Sequence, residues 1–504
     1  MRSDTTGSIP NVNERSWTMR RILASLVTAA AVTLTGCSLD LTNPNAPNPG
    51  AALTNPRTAT SQMIVGVLAT YRDNRAVQIR AFGSYGRETY YMFLTDGRFI
   101  TGPYRSWRQN NAFESGTQWG ARYGNYRNAY VAMKTVNATP TGAPTPTALT
   151  GPEKAGALGV LKTFIALDML AIIEARGPIG AVVDMTDDVN AVLPIVSQDS
   201  VYKWISAMLD EAKGNLDTAG TSFYFPMHSG FSAFNVAANR PAGFVQFNRA
   251  IKARVEAKRG SLGCGAPCYT NALTALGQTW IADLTAANRD NGVYVVYSTA
   301  SGDVLNGASF QGDRNFYVHP SIDSISGVAL DERYARKVAI STSACTTPYT
   351  SPQKEVGVTA THRACTYFSN VSPIPIIRNE ELVLLRAEAR WFTGDTARAR
   401  TDLAAVRTGS GGANAVSAVP TPATDSEFVS EVLLQRTLSL YQEAQRWVDY
   451  RRFGRLAALN TLQQDLAANF TVASASPLPN QECDARARRG QPAPMSCPGG
   501  AALP

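Results

Sequence analysis

A chain of 504 residues with 44% hydrophobic and 17% charged residues has ample apolar side chain for a core, which excludes an intrinsically disordered protein. Its net charge is +8, of which the first 36 residues carry +2; the remaining +6 is spread out, with no basic run interleaved with aromatics, which is not the footprint of a nucleic-acid binder. Only His228, His319 and His362 are present, with no Cys-x-x-Cys and no His-Glu-x-x-His, so no metal site is predicted. There is no Gly-x-Ser-x-Gly elbow and no phosphate loop, and neither an enzyme nor a cofactor is expected.

The chain opens on a targeting signal. Arg20 and Arg21 precede an apolar run, Ile22 to Leu34, of about a dozen residues, too short for a bilayer core that needs about 20. Residues 1–36 therefore read as a signal peptide, with Met19 as an alternative start and no apolar periodicity over 1–18. Leu34-Thr35-Gly36-Cys37 resembles the bacterial lipobox, which implies cleavage before Cys37 and acylation of its thiol; the alternative is a plain signal peptide with an incidental Cys. Residues 37–56, rich in Pro and Asn, form an extended tether.

Residues 57–484 read as a mainly α domain with little β. A helix starts near Thr58, with Met63, Val67, Leu68 and Tyr71 on one face. An irregular insert at 82–119 interrupts it, and helix resumes over 118–136. After a Thr/Pro/Ala-rich loop come helices at 153–175, stopped by Gly177-Pro178, at 201–216, with Ser200 as N-cap, at 243–259 and at 270–288. A second loop-rich insertion spans 291–376 and holds a strand-like Val293–Tyr297. Helix returns over 378–407 and 425–459, and a basic, Pro-rich tail occupies 485–504. No segment after Cys37 is predicted to be long and apolar enough to cross a membrane. Six further cysteines remain, and their connectivity is open from sequence. Pairing of neighbours is expected, Cys264 with Cys268, Cys345 with Cys365 and Cys483 with Cys497, each stapling one loop in an oxidising compartment.

One helical pair is tetratricopeptide-like. Glu380–Phe392 places Leu382, Leu385 and Ala389 inward, Thr393-Gly394-Asp395 turns, and Thr396–Val406 places Ala399, Leu403 and Val406 inward.

In order, these segments resemble the SusD/RagB family of surface lipoproteins. The helix Val201-Tyr202-Lys203-Trp204-Ile205 with Leu209-Asp210-Glu211-Ala212 is similar to one family helix. Ile376-Ile377-Arg378-Asn379-Glu380-Glu381-Leu382 through Ala389 is similar to another, and Gln435 to Gly454 to a third. Pro477-Leu478-Pro479 resembles the terminal motif. Gln435 stands where the family has Glu, and Ala444 where it has Gly. The resemblance implies a SusD-like scaffold of tetratricopeptide-like helical pairs. It implies a lipid-anchored protein exposed on the outer membrane, which captures an oligosaccharide or peptide nutrient and partners a SusC-like TonB-dependent channel. Arg378, Glu381, Glu388, Arg446, Asp449 and Arg452 recur on packing helices and read as scaffold charges.

The insert is the place for a ligand. Residues 82–119 mix Tyr85, Tyr90, Tyr91, Phe93, Tyr104, Trp107, Phe113 and Trp119 with several Arg and Asn residues. Rigid rings suit the C–H faces of sugars, and Arg and Asn suit their hydroxyls. The candidate contacts are Trp107, Tyr104, Arg105, Asn110 and Tyr85, with Tyr317 from a second region that includes Tyr294, Tyr297 and Phe316. The alternative for each ring is a place in the core between insert and helices. Trp107 stands among Arg105, Ser106, Arg108 and Gln109, with no apolar neighbour. A second function class stays open, a helical array that binds a peptide or protein without glycan.

Changing Cys37 to Ser is expected to move the protein from the detergent phase to the aqueous phase on phase partitioning. Continued membrane association of the variant would place the anchor elsewhere.

Overall fold

Helix α1 (Pro56–Tyr85) begins where the Asn55 side chain accepts the Thr58 amide at 3.1 Å and Pro56 fills the first turn, a position that needs no N–H. The computed structural model describes residues 54–93, 95–105, 114–188, 190–338, 353–460, 462 and 470–500, and one compact unit spans Leu53–Pro504. α1 runs past residue 81, where the sequence predicts the insert, because Ile79, Ala81, Phe82 and Tyr85 extend its buried surface.

Next come α2 (Glu114–Ala138), α3 (Gly151–Arg176), α4 (Gln198–Leu216), α5 (Pro241–Arg259) and α6 (Ala266–Leu276), each packed on the helix before it. α3 starts with a capping box: Thr150 accepts the Glu153 amide and Glu153 accepts the Thr150 amide. It is also long and apolar enough to span a bilayer, contrary to the expectation for segments after Cys37. Its apolar surface is instead buried against α1, α2, α4 and α5, as in a core helix. The N-cap of α4 is Ser197, not Ser200; Ser197 Oγ accepts the Ser200 amide. α6 stops at Leu276, well before 288. The Thr279 hydroxyl donates back to the Leu276 carbonyl (2.7 Å), and the Trp280 indole N–H donates to Asn291 (3.2 Å), turning the chain away.

Among the described residues, three antiparallel ribbons of two strands lie in and beside the inserts: β1 (Thr89–Tyr91) with β3 (Phe316–Val318), β2 (Gly292–Val295) with β6 (Ile374–Arg378), and β4 (Gln353–Glu355) with β5 (Val358–Ala360). β6 leads into α7 (Asn379–Phe392), which pairs with α8 (Thr396–Val406) as predicted. The facing residues differ on α7. Val383, Leu384, Ala387 and Trp391 meet Ala399, Leu403 and Val406 of α8, whereas Leu382, Leu385 and Ala389 enter the main core. α7 is buried on both sides, so either apolar stripe satisfies a helical period.

The helix predicted over 425–459 is broken into α9 (Asp425–Ser439) and α10 (Arg446–Arg452). Between them Gln442 and Ala444 adopt left-handed backbone, φ 56 and 63, which costs a non-glycine residue about 1 kcal/mol or more. The reward is the placement of Glu443. The tail is fastened, since α11 (Asn480–Arg488) carries Cys483, which is bonded to Cys497, and both join the core. Cys264 is bonded to Cys268, and Cys365 is disulfide-bonded and buried. Cys345 and Cys37 lie outside the described residues.

The helices close around buried ions. Arg254 donates to both oxygens of Glu381 (2.7 and 2.6 Å), and Arg436 lies 3.9 Å from the same carboxylate. Arg436 and Arg452 clasp Asp449 at 2.7 and 2.9 Å, and Arg452 continues to Glu388. A second chain runs from Lys337 through Glu443 to Arg378 and Glu380, and Lys258 pairs with Glu174. Burial alone would raise the Asp449 and Glu381 carboxyls, but the arginines beside them hold both below the ordinary range. Of the charges predicted as scaffold, Arg378, Glu381, Glu388, Asp449 and Arg452 are thus met by buried partners of opposite charge.

Replacing Arg452 by Met strands Glu388 in the interior and leaves Asp449 with Arg436 alone. We expect a loss of about 3–5 kcal/mol in urea unfolding. A change under about 1 kcal/mol would show that the pairs are solvated.

Candidate binding surface

The insert reaches the surface on a buried platform. After α1, Arg87 takes left-handed backbone (φ 52) and turns the chain into β1. Its Nη1 donates to the Ser84 and Tyr104 carbonyls at 3.1 and 3.0 Å, and its guanidinium lies 3.7 Å over the Tyr104 ring. β1 and β3 pair Thr89 with Val318, Tyr90 with Tyr317 and Tyr91 with Phe316. The Tyr90 ring packs 5.0 Å from Tyr104 and 4.7 Å from His319. The Ser321 amide donates to His319 Nδ1 (3.1 Å), which assigns the proton to Nε2, 3.1 Å from the Tyr104 hydroxyl. Burial, with Arg87 and Arg446 nearby, holds His319 well below the usual histidine range, so its ring is neutral.

The candidate rings at the described positions serve this platform. Tyr85, Tyr104 and Tyr317 are only 2%, 0% and 1% exposed. Tyr85 packs 5.0 Å from Trp447, while Tyr104 and Tyr317 share a cluster with Tyr90 and Met92. The β1–β3 register puts Tyr90 and Tyr317 on one inward face, where burying a large side chain gains about 1.5–3 kcal/mol. These three rings lie inside the platform, the core placement that the sequence leaves open for each of them. Tyr294, Tyr297 and Phe316 are buried as well, Tyr294 stacked 3.9 Å on Phe234. Arg105 is half-buried, donating to the Val356 carbonyl (2.5 Å) with its guanidinium 5.0 Å from the Phe470 ring. Trp107 and Asn110 lie outside the described residues.

A different set lies at the outer edge of the strand pair, where Phe93, Arg98 and Arg314 are exposed, Arg80 and Phe99 are half-buried, and Tyr91 and Phe310 are buried beneath them. Tyr91 ends β1 with its ring 4.6 Å from Phe99, and Arg80 lies over both rings at 4.9 and 5.3 Å. The Tyr91 hydroxyl donates to Asp313 Oδ2 and the Asn315 side-chain amide to Asp313 Oδ1, both at 2.7 Å. Burial, then Asp313, pushes the Tyr91 hydroxyl up to about 12. Phe93 is 41% exposed, and Arg98 is exposed beside Asp96. The Met92 amide donates to the Asn315 carbonyl (2.9 Å), joining this edge to the start of β3. There Arg314 and Arg363 lie over Phe310 at 5.5 and 5.8 Å, and Phe310 stacks 5.6 Å from Phe368.

The surface therefore combines rings, cations, a carboxylate and an amide around a fixed strand pair, a set that can hold hydroxyls and pack C–H faces. Arg80, Asp313, Arg314 and Arg363 are the residues that sequence reasoning missed. Asp313-Arg314-Asn315, a polar triplet directly before an aromatic strand, was the available signal.

The SusD family model matches residues 346–491. No curated protein matches the chain. Among solved structures, NanU of B. fragilis is 16% identical, with 90% of this chain and 99% of that one covered at a TM-score of 0.58. A laminarin-binding SusD-like protein is 16% identical, covering 85% and 97% at 0.59. A SusD superfamily protein of Bacteroides thetaiotaomicron is 12% identical, covering 85% and 97% at 0.61. At these identities the likeness is one of fold.

The neutral His319 makes a pH test of the platform. Because its folded pKa lies below the unfolded value of about 6.5, the unfolded chain takes the proton first. The stabilisation is present above that pH and is lost as pH falls through it. Asn at 319 retains an acceptor for the Ser321 amide without titrating. The stability advantage of wild type over His319→Asn should shrink by about 1 kcal/mol between pH 7 and 5.5 in urea unfolding. An unchanged difference would mean that His319 is protonated or solvated.

Proposed function

We propose that this chain, whose residues 346–491 match the SusD family model and whose fold is that of SusD-superfamily structures, is a cell-surface nutrient-binding lipoprotein. It captures an oligosaccharide or similar nutrient and delivers it to a TonB-dependent outer-membrane channel. SusD-family proteins are non-catalytic binding proteins. The observation that carries the reading is the aromatic and cationic surface of Phe93, Phe99, Arg80 and Arg98, held by a strand pair on a buried platform. Binding residues are commonly carried on loops fixed by a rigid scaffold. A laminarin-binding relative in fold supports a saccharide ligand. Acylated Cys37 and the tether after it would hold the protein at the membrane, and the helical array would dock on the channel.

Burial of Tyr85, Tyr90 and Tyr104 favours a second reading, a tetratricopeptide-like lipoprotein that binds a peptide on its helices without glycan.

A screen of glycans and peptides against soluble protein beginning after Pro49 separates the two. On the first reading a glycan binds, and Trp107→Ala and Phe93→Ala each weaken it about thirtyfold, or about 2 kcal/mol, with an unchanged melting temperature. Binding of peptides alone, indifferent to both variants, supports the second. A large melting drop for Trp107→Ala, where a core Trp costs about 3–5 kcal/mol, removes Trp107 from the site.

A further inference from the structure

A cleft of about 370 Å³ opens between α2, the stretch from Val182 to Leu193 and α11, sharing no lining residue with the surface at β1 and β3. Its walls are fixed by hydrogen bonds. The Tyr123 hydroxyl both accepts the Val182 amide and donates to the Val182 carbonyl, each at 2.8 Å. One turn on, the Tyr126 hydroxyl donates to the Val183 carbonyl (2.8 Å), and Arg127 donates to the Thr186 and Asp187 carbonyls. Trp119 and Tyr123, 4.6 Å apart edge to face, form an aromatic wall. α11 supplies Glu482 and Arg486, paired at 2.6 Å, and the Cys483–Cys497 bond holds that helix in place.

Two polar groups at this cleft have chemistry to offer. The Arg486 side chain is only 3% exposed, and its Nε has no hydrogen-bond partner. Asp184 stands exposed at the rim. Asp184, Asp188 and Glu482 together repel an anion, while Arg127 and Arg486 disfavour a cation. A purely apolar guest would cover the polar and charged side chains of the lining without pairing them, at about 1–3 kcal/mol for each group left bare. A neutral ring with hydroxyls meets every requirement. Its C–H face packs on the aromatic wall, one hydroxyl accepts from Arg486 and another donates to Asp184 or Glu482. The volume sits at the small end of ligand pockets, about 300–1,000 Å³.

We propose that this cleft is a second ligand site, built for a neutral sugar of one or two rings. It rests on the chemistry of the cleft and is independent of the insert surface. Gly124 provides a clean plug: it lines the cleft, and a Cβ there would meet nothing within 4 Å. Saturation-transfer NMR with millimolar D-glucose, N-acetyl-D-glucosamine and maltose tests the site on the soluble protein. In a Phe93→Ala background, which removes the insert surface, at least one sugar should show transfer that Gly124→Trp abolishes and that Arg486→Met weakens about tenfold or more. Melting curves confirm that each variant is folded. No transfer from any of the three, or transfer that survives Gly124→Trp, overturns the proposal.

Discussion

The structure depends on mutual neutralisation of charges buried where the helices meet. α3, α5, α7, α9 and α10 each bring ionised side chains to the interior, and the pairs Arg254–Glu381, Lys258–Glu174, Arg436–Asp449 and Arg452–Glu388 each join two different helices. α5 contributes Arg254 and Lys258, whose carboxylates come from α7 and α3. Such pairs add little net stability over apolar packing, but a misplaced helix would leave a bare charge in a low-dielectric core. They therefore act on register. The left-handed turn at Gln442 and Ala444 belongs to the same logic, because it sets Glu443 between Arg378 and Lys337.

The ion network also reaches the platform under the insert. Arg446, at the start of α10, donates to the Arg87 carbonyl and to the Ser321 hydroxyl. Arg87 and Ser321 are the residues that hold Tyr104 and His319. Glu88, next to Arg87, is fully buried, and desolvation pushes its carboxyl up to about 7 despite Arg446 nearby. The strand pair that presents Phe93 is thus joined to the scaffold through polar contacts, not merely laid on it.

Much of the scaffold was legible because amphipathic spacing survives tertiary packing. The period of Ile205, Leu209, Ala212 and Leu216 gives one buried stripe on α4, and all four are buried. The turn at Thr393–Asp395 was equally plain. Legibility failed where burial is two-sided or where one side chain decides. α7 has an apolar stripe on each side, so periodicity could not choose which one faces α8. The break before α10 rests on the backbone of Ala444, a residue with no turn propensity to betray it. At the candidate surface, composition marked the insert but not the direction of its rings. That direction is set by pairing with β3, more than two hundred residues downstream. The same remoteness hid Asp313, which matters only because β3 brings it to the Tyr91 hydroxyl.

The sequence distances across the network have a kinetic consequence. Glu381 lies 127 residues after Arg254, and the Glu443 carbonyl that accepts from Arg75 lies 368 residues further along. A chain emerging from its N-terminus can form α1 to α5 as local helices, yet α5 would carry Arg254 without its carboxylate. Closing that interior early would trap a naked ion, so collapse must wait until α7 and α10 have appeared. The packing of neighbouring helices is local, but these buried pairs close loops of more than a hundred residues, and contacts of that separation are the slow ones. The polar interior thus ties the completion of the scaffold to the arrival of its C-terminal helices.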